Sequence, residues 1–314
     1  MLELVVIPFM LQVLLPVALA FWIAVATHRS HLEWLLSVTL VVGYVVAVTE
    51  AGLWLIVPSV VPRVYAVLLL VALALSLRDA RRRNAWPSGA RGAVLAAVRG
   101  LLAVLVVALL VHVRSGRRAP ADALALSFPL RHGTYAVANG GRVELLNAHL
   151  KTLTAERFEP YRGQSYGVDI VRTGALGSRA RGLLPRDPGA YVIYGDTVVA
   201  PCGGVVIVAA DGFPDMPPPE PDRAHMAGNH VIVVCEGAWV VLGHLQRGSV
   251  RVQPGTPVHT GDPLGLVGNS GNTFEPHLHI HAQSPGTREA PLGGVPLPIR
   301  LDGRYLVRND RLTR

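Results

Sequence analysis

The chain has 314 residues, of which 51% are hydrophobic and only 16% charged, and its mean hydropathy is +0.39. That is too apolar for an ordinary soluble protein and too polar for one built only of membrane spans, and the length suggests about two domains. The net charge of +8 comes from arginines that are scattered or flank apolar runs, with Lys151 the only lysine, so no basic stripe speaks for nucleic-acid binding and the charge reads as membrane topology.

Residues 1–118 are expected to form a four-helix transmembrane region. Apolar runs at 4–26, 34–57, 59–77 and 93–113 are each near the roughly 20 residues that cross a bilayer. The third carries Arg63, which must snorkel to an interface. Met1-Leu2-Glu3 lacks a basic leader and no small-residue cleavage site follows, so the first run is expected to be retained. The arginine-rich loop at 78–91 is expected to stay in the cytoplasm, which puts both ends of the chain outside. Glu50 and Arg99 fall in or near spans, and they are expected at the outer and inner interfaces with no functional role. Four spans exceed the needs of an anchor in the lipid bilayer, which leaves room for a membrane or cell-wall protein partner.

After Ala119-Pro120 the composition shifts to short β-branched runs separated by glycine and proline. Residues 119–314 are expected to be a mainly antiparallel β domain. Strands are predicted at 197–199, 205–209, 230–235, 239–244, 250–252, 264–267 and 277–282, with the proline-rich stretch 214–221 as a surface loop. Cys202 and Cys235 are the only cysteines; they form either a disulfide or two buried thiols.

The stretch from Glu275 to His281 is the densest chemical signal. In a strand, His277, His279 and His281 share one face while Leu278 and Ile280 share the other. Imidazoles side by side suit metal binding and general base catalysis. Asp169 in Tyr166-Gly-Val-Asp, His244 in Gly243-His244-Leu245 and His149 in Asn147-Ala148-His149 offer the remaining groups of a hydrolytic zinc site.

Seven short segments occur in one order: Tyr166 to Asp169, Val199 to Pro201, Gly228 to Val231, Gly243 to Leu245, Gly261 to Gly265, Gly268 to Gly271 and Pro276 to His279. Together they resemble the lysostaphin/LytM-type zinc endopeptidases, which cut peptide bridges in peptidoglycan. The resemblance implies a LytM-like β-sheet or sandwich, Asp169 and His279 as zinc ligands, His277 as general base and His244 as the group that steadies the transition state. It implies Asn229 at a strand edge near the cleft. The family's usual first ligand, a histidine four residues before the aspartate, is Ser165 here, and serine is a poor zinc ligand. His149 is the expected replacement, by resemblance to a branch of the family with an Asn-x-His segment upstream. His225 and His281 are the further candidates.

The expected function is a membrane-anchored zinc metalloendopeptidase acting on peptidoglycan peptides outside the bacterial cytoplasmic membrane, with its C-terminal domain periplasmic or extracellular. The alternative is an inactive LytM-like module that binds cell wall or activates a separate hydrolase. A third reading makes the membrane half a transporter or sensor, for which no pair of broken helices speaks.

Overall fold

Four helices make up the N-terminal part of the computed structural model, which describes residues 7, 9–55, 57, 60–174 and 177–314. They are α1 (Leu15–Val25), continuing a π-helical turn at Met10–Leu14, then α2 (His31–Ala51), α3 (Val61–Ser76) and α4 (Gly89–Ser115). The Ser30 hydroxyl caps α2 by accepting from Glu33 N at 3.1 Å, and α3 begins at a proline, where no helical donor is lost. By length and composition α2 and α4 can cross a membrane, whereas Met10–Val25 and Val61–Ser76 are shorter apolar helices. The second run therefore ends six residues earlier than expected, at Ala51 before Gly52. The expected spans also include residues 4–6, 8, 56 and 59, which lie outside the described residues. Leu70, Val104 and Val111 are well exposed, so these helices leave apolar flanks uncovered within their own unit. Glu50 and Arg99 are both ion-paired: Arg114 donates to Glu50 Oε1 at 2.9 Å, and Arg99 lies 3.8 Å from Glu33 Oε2.

The chain divides into two compact units, Met1–Ser115 and Gly116–Arg314. The second holds β1 (Leu124–Leu126), β2 (Thr134–Asn139), β3 (Val168–Thr173), β4 (Thr197–Val199), β5 (Gly204–Ala210), β6 (Asn229–Cys235), β7 (Ala238–Leu245), β8 (Pro257–Val258), β9 (Pro263–Leu266), β10 (Leu278–Gln283), β11 (Pro296–Leu297), β12 (Ile299–Leu301) and β13 (Arg311–Thr313). Nine strands form one antiparallel sheet in the order β13-β2-β3-β10-β7-β6-β5-β8, with β11 also on β10. Two small ladders, β4 with β9 and β1 with β12, complete the fold. The expected mainly antiparallel β domain is present.

Alternation explains where the core sits. Leu278, Ile280 and Ala282 of β10 pack with Val240 and Leu242 of β7, Val231 and Val233 of β6, and Val168 and Ile170 of β3. The opposite face of β10 is closed as well, because a 3₁₀ segment at Glu156–Tyr166 lies over it. The imidazole face is thus buried rather than open. The expected strand at 250–252 is absent; Arg251 N donates to Leu264 O without forming a ladder. Cys202 and Cys235 form a disulfide with their Cα atoms 5.9 Å apart. Asn229 is fully buried on a central strand, not at an edge, and its amide clamps Phe213 and Leu245 across a bulge. The loop carrying Pro214 to Pro221 leaves the sheet and is held by Asp215, which accepts from Asn269 N and Arg247 N.

Candidate metal centre

One cross-strand row gathers the chemical groups. Asn139 of β2 pairs with Asp169 of β3, Asp169 with His279 of β10, and His279 with Gly243 of β7. Residues directly opposite one another in adjacent strands have neighbouring side chains, so positions remote in sequence converge. His244 follows Gly243 with a left-handed backbone, φ 62°, which is uncommon for a side chain of this size. The bulge between β6 and β7 at this point turns its ring toward the row.

Asp169 is the hub. Its Oδ2 lies 2.9 Å from His149 Nε2 and accepts from Asn139 Nδ2 at 2.8 Å, while its Oδ1 lies 2.8 Å from His279 Nδ1 and 3.4 Å from His277 Nε2. Asn139 is itself held, since Arg308 Nη2 and Ala148 N both donate to its Oδ1. His149 sits on a 3₁₀ turn, Ala148–Leu150, whose cap Asn147 is buried and donates to Gly141 O and Gly167 O. That anchoring aims the His149 ring at the carboxylate.

Backbone carbonyls fix two further tautomers. His277 Nδ1 is 2.8 Å from Glu275 O, and His244 Nδ1 is 2.8 Å from Ser270 O. A carbonyl only accepts, so both rings carry their proton on Nδ1 and turn an Nε2 lone pair outward when neutral. The two rings lie 4.8 Å apart between centroids. Arg179, buried, donates to both carboxylate oxygens of Glu275 and so steadies the turn that presents its carbonyl.

The electrostatics separate the histidines. Burial alone raises the Asp169 carboxyl, but the His149 and His277 rings outweigh it and hold Asp169 well below the usual range. For His277 burial pulls downward, and the Asp169 carboxylate wins, leaving this imidazole above its ordinary value. His244 has burial and the neighbouring His277 and His279 all acting against protonation, so it falls well below.

Two sets of donor atoms lie within 4.8 Å of one another: His149, Asp169 and His279, and His244, His277 and His279. Two imidazoles and one carboxylate are a donor set that suits zinc, and the first set alone brings a formal negative charge. The residues fit the metal. Every one of the five expected site residues, His149, Asp169, His244, His277 and His279, is brought into this cluster. Ser165 is buried and faces away, bonding to Thr152 Oγ1 and Arg162 O. His225 pairs with Asp222 and stacks on Phe213. His281 lies behind His279, with Nδ1 2.9 Å from His279 Nε2. Sequence reasoning missed Asn139, Gln283 and Gly167. Gln283 left a trace as the next step of the alternation 277, 279, 281, and Gly167 lay within the Tyr166-to-Asp169 segment.

A model of peptidase family M23 matches residues 191–291. Among solved structures, the catalytic domain of the antimicrobial peptidase lysostaphin from Staphylococcus simulans is 19% identical over 40% of this chain and 71% of that one, with a TM-score of 0.26. A zinc containing peptidase from Vibrio cholerae is 18% identical over 37% and 46%, with a TM-score of 0.23. Csd3 from Helicobacter pylori is 14% identical over 63% and 37%, with a TM-score of 0.30. The chain spans less than half the length of these last two. No curated protein matches. The matched stretch contains His244, His277 and His279 and stops short of His149 and Asp169, and over it the chain matches peptidase family M23.

Proposed function

We propose that the chain is a zinc metalloendopeptidase that hydrolyses peptide bonds of bacterial peptidoglycan outside the cytoplasmic membrane, held there by its N-terminal helices as a multi-pass anchor. The observation that carries this reading is His149. Its Nε2 lies 2.9 Å from Asp169 Oδ2, which supports an upstream turn as the source of the ligand missing at Ser165. A ligand at His149 answers the observation at Ser165 that favours the inactive-module reading, and the zinc measurement below separates the two.

In this reading His149, Asp169 and His279 hold zinc. When bound there, zinc supplies a Lewis acid that polarises the scissile carbonyl and acidifies water. His277 is the general base: its Nδ1 is tied to Glu275 O, and its Nε2 lone pair faces the cluster, 3.4 Å from Asp169 Oδ1. Having taken the water proton, it returns that proton to the leaving amine. His244 cannot steady an oxyanion while neutral, because its single proton is given to Ser270 O. It orients the attacking water by accepting from it, and it donates only after gaining a second proton.

Zinc content of the full-length protein, beside His149→Ala, tests the reading. One zinc per chain is expected in the wild type, bound at least about tenfold more weakly in the variant. His277→Ala is expected to keep the zinc and lose cleavage of purified peptidoglycan. A wild type without zinc would overturn the enzyme in favour of the binding module.

A further inference from the structure

His279, His281 and Gln283 alternate along β10 and share one face of it. Their polar atoms form a chain. His279 Nε2 is 2.9 Å from His281 Nδ1, His281 Nε2 is 3.3 Å from Gln283 Oε1, and Gln283 Nε2 donates to Pro291 O at 2.7 Å. All three residues are no more than 3% exposed, so solvent does not compete for these bonds.

The last link sets the direction of every other. Pro291 O only accepts, so Gln283 turns its NH2 toward Pro291 and its oxygen toward His281. That oxygen also only accepts, so the His281 proton sits on Nε2. Its Nδ1 is then an acceptor, the His279 proton sits on Nε2, and His279 Nδ1 is left with a lone pair. This lone pair faces Asp169 Oδ1 at 2.8 Å, and an ionised carboxylate has no proton to offer. Two acceptors at this distance repel unless they share a cation. Close packing preserves the arrangement: a Cβ at Gly163 would run into Gln283 Oε1.

We propose that His281 and Gln283 are positioning residues that lock His279 in its Nε2–H tautomer and so preset Nδ1 as a metal-ligand nitrogen. This rests on the zinc site proposed above. The strand thereby carries both the ligand and the device that orients it, in three alternating residues anchored to one carbonyl.

The test is zinc affinity of the full-length protein by chelator competition. His281→Leu removes the acceptor for His279 Nε2–H, whereas His281→Asn, though smaller, places an amide oxygen close to where Nδ1 stands. His281→Leu is expected to bind zinc about 10- to 100-fold more weakly, and His281→Asn to stay within about threefold of the wild type. A mere packing role moves both alike. Gln283→Met, which keeps the length and removes the terminal acceptor, is expected to weaken zinc about tenfold. It decides the matter if thermal unfolding shows that His281→Leu does not fold. A wild type that binds one zinc while the Leu and Met variants bind as tightly overturns the tautomer lock alone, as does an Asn variant as weak as Leu. A wild type that binds no zinc overturns the zinc site and, with it, this inference.

Discussion

Gly167→Ala tests how closely the chain is built around the His279 ring. Gly167 has φ −58° and ψ 149°, a conformation alanine adopts freely, so the backbone itself does not object. A Cβ there, however, would stand 2.6 Å from His279 Cε1 and 3.2 Å from Nε2, with Gln164 O at 2.9 Å on its other side. Restoring ordinary contact requires the ring to retreat by roughly 1 Å. It has nowhere to go, because Nδ1 already lies 2.8 Å from Asp169 Oδ1, Nε2 is held at His281, and the residue is 3% exposed. A displacement of roughly 1 Å at a reacting centre costs on the order of 10²-fold, or about 3 kcal/mol. The assay is zinc affinity and peptidoglycan cleavage of the full-length variant, with circular dichroism to check the fold. A folded Gly167→Ala protein with wild-type zinc affinity would refute the reasoning.

Two further predictions concern stability. The disulfide between Cys202 and Cys235 closes a loop of sequence separation 33, and replacing both residues by serine is expected to lower stability by about 3–4 kcal/mol. An unchanged urea midpoint, in the presence and absence of reductant, would contradict this. Burial pushes the His230 imidazole below its ordinary value, with Gly228 O opposing only in part. In the unfolded chain it titrates near 6.5, so below about pH 6.5 the unfolded state binds a proton that the folded state refuses. Stability therefore falls as pH drops through that window, until the folded imidazole protonates too. His230→Asn is expected to flatten the fall by up to about 1.4 kcal/mol per pH unit in urea titrations, and a slope unaltered by the substitution would rule His230 out as its source.

What was legible in the sequence follows the range of each interaction. Alternation is local, so the core face of β10 and the imidazole face opposite were both readable from Leu278, His279, Ile280 and His281. The four helices were readable because apolar length is a local property, though Gly52 ended α2 before the apolar run itself ended. Val250 to Val252 misled because β-branched residues favour a strand without guaranteeing a partner strand: Arg251 N meets Leu264 O, but Val250 N is taken by the Asp211 carboxylate. The cover over the imidazole face was not readable. Residues 156–166 have no regular period and sit over β10 through tertiary packing, as Gly163 N bonding to Leu292 O illustrates. Asn139 was invisible for a related reason: its role comes from pairing with Asp169, thirty residues on, across two strands.

The upstream half of the site, His149 and Asp169, precedes His277 and His279 by more than a hundred residues, and the two meet through the pairing of β3 with β10. A growing chain therefore presents a half-built site for most of its synthesis. Asp169 emerges early, with no imidazole yet opposite its Oδ1, and the donor set closes only when the last third of the domain has been released and β10 has inserted between β3 and β7. Insertion of a single central strand is thus the event that joins β3 to β7 and closes the donor set, so the protein cannot acquire its chemistry piecemeal, ahead of its fold.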